Sequence, residues 1–92
     1  MYLVLCYDVS SDSRRQRLYK KLKAFMSPVQ RSVFEGEVPT KRYAALLHLI
    51  HDTIDHQTDS VRIYQLSASG RDLTEHIGTA HVVDSRGEDI IL

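Results

Sequence analysis

LVLCYDVSSDSRRQRLYKKL, residues 3–22, passes from an apolar segment directly into a basic one, with one carboxylate, Asp8, at the join. Residues 2–7 (YLVLCY) are apolar on both faces and rich in strand formers, so they predict a central strand covered on both sides. Leu3, Leu5 and Tyr7 fall on one face, and Tyr2, Val4 and Cys6 on the other. Ser10, Ser11 and Asp12 then offer N-cap side chains, and a helix is expected over residues 13–26, where Ser27-Pro28 stops it. Plotted at about 100° per residue, Leu18, Tyr19, Leu22, Phe25 and Met26 form its apolar stripe. Arg14, Arg17, Lys20, Lys21 and Lys23 lie at the edges of the stripe or outside it, but Arg15 projects near its centre. An inward guanidinium is costly unless it is paired. Two readings fit: an ion pair with Asp8 across the short loop, or an arginine snorkelling at the helix end.

Outward from this stretch, VQRSVFEGEV, residues 29–38, is extended and breaks into two short strands near Glu35-Gly36. Pro39-Thr40 opens a second helix whose stripe is Tyr43, Leu46, Leu47, Leu49, Ile50 and Ile54, with His48, His51 and Asp52 turned away from it. SVRIYQL, residues 60–66, is another strand. The tail suggests a weak strand at 74–78, a loop at 84–87 and a terminal strand at 89–92. Strands interleaved with two amphipathic helices imply an α/β sandwich with both helices on one sheet face. The second face of the first strand then needs a cover, and a second copy of the chain is the simplest one.

Composition sets the outer bounds. Ninety-two residues support one domain with an adequate core. The chain is 42% apolar and 26% charged, as in an ordinary soluble protein, and no run approaches the roughly 20 apolar residues of a membrane span. No export signal is read at the N-terminus, and the single cysteine, Cys6, fits a reducing cytoplasm and a small buried side chain. The net charge of zero hides an asymmetry: residues 1–42 hold nine Lys/Arg against four acids, and residues 43–92 three against eight. An anion responds to potential within about 10 Å, so the basic half permits a phosphate-binding face despite the neutral total. A solvated helix face explains the same charges equally well.

Other chemistries find little support. His48 and His51 stand three apart with His56 close by, a spacing that suits a metal, but no cysteine accompanies them and an exposed face is the simpler reading. No zinc site is expected. The glycines are isolated and form no phosphate-cradling loop, and no Ser-His-Asp or Cys-His arrangement can be argued.

The order of a strand ending in Tyr7-Asp8, a Ser/Asp turn, the helix start SRRQRLYKKL, then VQRSVFEGEV and DSVRIYQL resembles the family of CRISPR-associated protein two, the smaller of the two core spacer-acquisition proteins. The likeness covers residues 2–66, and the tail matches only in its EHIG segment and apolar terminal strand. The resemblance implies an α+β, ferredoxin-like single domain over residues 1–92, with an antiparallel sheet carrying two helices on one face, and a homodimer packed through the sheets. Residues 67–92 would form an extension whose terminal strand pairs with the partner subunit. It also implies a magnesium- or manganese-dependent endonuclease acting on RNA or double-stranded DNA during spacer acquisition, with Asp8 holding the metal.

Carried over by position, the metal-binding and catalytic aspartate is Asp8, the aromatic before it Tyr7, the helix arginines Arg15 and Arg17, and the phenylalanine of the SVF motif Phe34. Many members have a basic residue before the Val-Gln pair; this chain has Pro28 there, and Arg31 after the pair is the nearest substitute. Nucleic-acid contacts then fall to Arg14, Arg15, Arg17, Lys20, Lys21 and Arg31. One Asp8 per chain is a poor magnesium site, whereas two related by the dimer axis could share an ion. Three alternatives stand beside this reading. Asp8 is a cap or ion-pair residue; the dimer is a non-catalytic DNA-binding adaptor bridging the larger CRISPR integrase; or it is a small-ligand regulatory dimer, against which the RRQR…KK cluster argues.

Overall fold

A computed structural model describes residues 1–78 and, beyond them, the backbone of 81–83 and 89–91. The elements in chain order are β1 (Tyr2–Asp8), α1 (Asp12–Leu22), β2 (Ser27–Gln30), β3 (Val33–Glu37), α2 (Thr40–Thr53), β4 (Ser60–Leu66), α3 (Ala68–Asp72), β5 (His81–Val83) and β6 (Asp89–Ile91). The first four strands form one antiparallel sheet in the order β2-β3-β1-β4, and β5 pairs antiparallel with β6.

The apolar stretch at residues 2–7 is an inner strand, hydrogen-bonded on both edges: Leu5 stands opposite Phe34 of β3 and Ile63 of β4. Alternation directs Leu3, Leu5 and Tyr7 to one face, where they meet Leu18 and Leu22 of α1, Leu46 and Ile50 of α2, and Phe34, all buried in one core. Both long helices therefore cover the same side of the sheet. Tyr2, Val4 and Cys6 point the other way and are only half-buried, and the register sets Val33, Tyr64 and Leu66 beside them. Cys6 is thus not the buried side chain its sequence context suggests. On this face the Arg71 guanidinium of α3 lies 5.2 Å from the Tyr2 ring centre.

Three boundaries depart from expectation. α1 stops at Leu22 rather than Met26: the amides of Phe25 and Met26 both return to the Leu22 carbonyl, at 2.9 and 3.0 Å, and the tightened turn delivers Met26 into the core from outside the helix. The strand pair breaks at Arg31–Ser32, where Ser32 takes a left-handed φ of 62°, and not at Glu35-Gly36. Gly36 lies inside β3 because Met26 occupies its side-chain space: a Cβ there would meet Met26 atoms at 3.1 Å. Residues 74–78 are irregular, and the short α3, capped by the Ser67 hydroxyl, precedes them. The expected loop at 84–87 lies outside the described residues, and the terminal strand is seen as β6. Pro28 is tolerated within β2 because that strand ends the four-stranded sheet.

Phe34 joins the layers, with ring centres 6.1 Å from Tyr7 and 5.5 Å from Tyr19. Truncating Phe34→Ala should cost roughly 3–5 kcal/mol, read as a lower urea midpoint at unchanged slope.

Candidate active site

The site is the junction of β1 and α1. Asp8 is the last residue of β1, opposite Ser60 of β4, and its side chain is exposed with no hydrogen bond or ion pair to a described residue. Tyr7, one residue earlier, turns inward. Burial pushes its hydroxyl pKa up, as does Tyr19, while Arg15 and a hydrogen bond with Ser32 oppose that rise. The Tyr7 amide also donates to the Ser32 carbonyl at 3.1 Å, tying the strand end to the β2–β3 turn that carries Arg31.

Helix α1 begins where the Ser11 side chain accepts from the Arg14 amide at 3.3 Å. Arg15 is half-buried, as its place on the wheel requires, but its partner is not Asp8. It donates to the Val9 carbonyl at 3.0 Å and pairs with Asp12 one turn back. Asp12 reaches it because residues three apart share a helix face. Arg17, Lys20 and Arg31 are exposed and form no hydrogen bond, ion pair or ring contact with a described residue, and Lys21 donates to the Thr53 hydroxyl at 3.1 Å. Phe34 is wholly buried beneath the junction.

The residue that sequence reasoning missed is Asp59, just before β4. Its side chain has no solvent exposure, and both oxygens are taken. Oδ2 accepts from Arg14 Nε at 2.9 Å and the Asp55 amide at 2.8 Å; Oδ1 accepts from Arg14 Nη2 at 3.2 Å, the Ser10 amide at 3.0 Å and the Thr58 hydroxyl at 3.1 Å. Arg14, expected among the solvated cations, is therefore held in a forked pair with a carboxylate 45 residues away. The one sequence signal was the acid in DSVRIYQL immediately before a strand.

The Arg14 guanidinium, followed by the amides of Asp55 and Ser10, holds the Asp59 carboxyl far below the usual carboxylate range, against the opposing effect of burial. The folded value thus lies below the unfolded one of about 3.9, so Asp59 stabilises the fold above that pH and the contribution is lost as pH falls below about 4. Wild-type and Asp59→Asn proteins should differ in unfolding free energy at pH 6, and the gap should narrow on acidification through that window.

His51 and His56 line a shallow cavity beside Asp59 and Ser60 but form no hydrogen bond or ion pair with the Asp59 carboxylate. His51 Nδ1 and His56 Nε2 are 2.9 Å apart, and His48 pairs with Asp52 at 3.2 Å. No group of three or more His, Cys, Asp or Glu side chains gathers to hold an ion among the described residues. Nor is any helix among them long and apolar enough to cross a membrane.

The model of the family described as CRISPR associated protein Cas2 matches residues 1–72, from β1 through α3. A Frankia alni protein named CRISPR-associated endoribonuclease Cas2 is 35% identical over 78 residues, covering 85% of this chain and 88% of the relative. One of the same name from Nitratidesulfovibrio vulgaris is 32% identical over 96 residues, covering 99% and 94%. The crystal structure of Streptococcus pyogenes Cas2 superposes with a TM-score of 0.77 at 29% identity, covering 85% of this chain and all of that one. A strand-end acid followed by an arginine-rich helix start, in a fold and a sequence matched together over most of the chain, makes this protein a member of the Cas2 family.

Proposed function

We propose that this protein is a CRISPR-associated, metal-dependent endonuclease that cleaves phosphodiesters in RNA, working in the cytoplasm as a homodimer of ferredoxin-like subunits. The observation that carries this reading is Asp8: a carboxylate exposed at the end of the central strand and without a partner among the described residues, while its neighbours Asp12 and Asp59 are both paired. The names of the relatives from Frankia alni and Nitratidesulfovibrio vulgaris support RNA as the substrate. Double-stranded DNA offers the same bond, and cleavage of either would serve spacer acquisition.

A free carboxylate suits Mg2+ or Mn2+, hard cations that take one or two such oxygens and keep several waters. When bound, the ion supplies charge neutralisation on the phosphate and an activated water. Asp8 holds the ion in this scheme, and the half-buried face of Tyr2, Val4, Cys6, Val33, Tyr64 and Leu66 is covered by a second copy, which brings two Asp8 residues together. The tail beyond residue 66 supports the dimer through its terminal strand. Tyr7 and Phe34, being buried, act by fixing the strand end rather than by touching substrate. Arg17, Lys20 and Arg31 bind phosphates, with Lys21 at the edge; Arg15 contributes only the part of its guanidinium that Val9 and Asp12 leave open. Arg14, engaged by Asp59, drops out of that set.

Labelled RNA and duplex DNA, incubated with Mg2+, Mn2+ or chelator, test this directly. Cleavage should require the metal and vanish in a folded Asp8→Ala protein that still binds RNA. Equal cleavage by the variant would contradict it.

The exposed, uncommitted cations favour a second reading, a DNA-binding adaptor that bridges the larger CRISPR integrase through contacts to the phosphate backbone. Each of Arg17→Ala and Lys20→Ala should lower the slope of log affinity against log salt by about 1 if it loses one phosphate contact. Under the adaptor reading alone, Asp8→Ala leaves DNA binding and integration intact and no cleavage is seen in either protein.

A further inference from the structure

We propose that Asp59 is a positioning residue for Asp8: its buried carboxylate holds the backbone two residues past the strand-end acid, while Ser60, the next residue in the chain, pairs with Asp8 itself. This inference rests on the nuclease reading of Asp8 and adds to it a residue that contacts neither nucleic acid nor metal.

Two connections carry it. Downstream of Asp8, the Ser10 amide donates to Asp59 Oδ1 at 3.0 Å, and the Ser10 hydroxyl approaches the same oxygen at 3.3 Å. Across the sheet, Ser60, the next residue after Asp59, is the ladder partner of Asp8. Residues 59 and 60 thus hold the chain at Asp8 and again two residues later. Arg14 completes the brace, since its Nη2 reaches both Asp59 Oδ1 at 3.2 Å and the Ser10 hydroxyl at 3.2 Å. The first turn of α1 is pinned to the same carboxylate that pins the loop before it.

Charge explains why an acid suits this place. A carboxylate shielded from solvent needs its charge matched, and the forked guanidinium of Arg14 does that. With both oxygens occupied by five donors besides the Ser10 hydroxyl, Asp59 has no lone pair left for an ion. It orients without ligating. Groups that hydrogen-bond a metal ligand directly typically cost roughly 10–100-fold in metal affinity or activity when removed, which bounds the effect of Asp59, a group that acts on the backbone beside Asp8. The Asp55–Asp59 loop is itself closed by the Asp59 amide donating to the Asp55 carbonyl at 2.8 Å, so the carboxylate is presented from a fixed turn.

The test compares wild type, Asp59→Asn and Arg14→Lys in the dimeric protein. For RNA cleavage, kcat should fall roughly 10–100-fold in Asp59→Asn while KM and RNA affinity in chelator stay close to wild type, with a smaller fall of the same pattern in Arg14→Lys. Binding of Mn2+ alone, followed by water-proton relaxation, should weaken in Asp59→Asn. An Asp59→Asn protein that matches an active wild type in kcat and Mn2+ affinity overturns the inference. So does a loss of RNA affinity in proportion to kcat, which marks a merely structural residue. If Asp59→Asn does not fold, Arg14→Lys decides on the same readouts. A wild type that neither cleaves nor binds Mn2+ overturns the underlying nuclease reading instead.

Discussion

The forked contact between Arg14 and the buried carboxylate of Asp59 is the interaction on which the geometry of the β1–α1 junction depends. Burying a carboxylate is unfavourable unless its charge is matched and its oxygens are hydrogen-bonded, and Asp59 meets both conditions. A network satisfied this fully resists displacement, because losing either charged member leaves the other charge without its match. The loop that follows Asp8 thereby acquires one conformation, although it is short, polar and at the surface. An exposed acid on a fixed backbone is what a metal-directed site would need from a chain of 92 residues.

Below that junction the fold is governed by the central strand. Because β1 is paired on both edges, its side chains divide between two faces, and two helices cover only one of them. The Leu3, Leu5, Tyr7 face is closed by α1 and α2 around Phe34, while the Tyr2, Val4, Cys6 face remains half-open. The same alternation puts Asp8 on the half-open side, in line with Cys6, at the strand end. The demand for a cover and the position of the acid are thus consequences of one pattern. A two-fold partner over that face would bring both acids to one place.

Much of this was legible in the sequence where periodicity was strong. The first strand, α2 and β4 follow from apolar runs and stripes that no competing signal disturbs. The end of α1 did not, because Phe25 and Met26 continue the helical stripe although the chain has already left the helix; they reach the core from a turn instead. The only glycine in reach draws the expected hairpin break to Glu35-Gly36, whereas the left-handed residue is Ser32 and Gly36 is needed for the close approach of Met26. At the site, Asp8 and the need of Arg15 for a partner were readable from local spacing. The partner was not, since Val9 offers a backbone carbonyl and Asp12 lies one helical turn away. Asp59 could not be found by pattern, because what distinguishes it is a contact across 45 residues that only the folded chain creates.

The measurement that tests this account most directly is a double-mutant cycle between Arg14→Gln and Asp59→Asn, read as unfolding free energy at neutral pH. Residues in one buried network couple, so the double variant should lose clearly less stability than the two single losses added together. Additive losses would mean that the two side chains act independently, and the buried brace beside Asp8 would not exist.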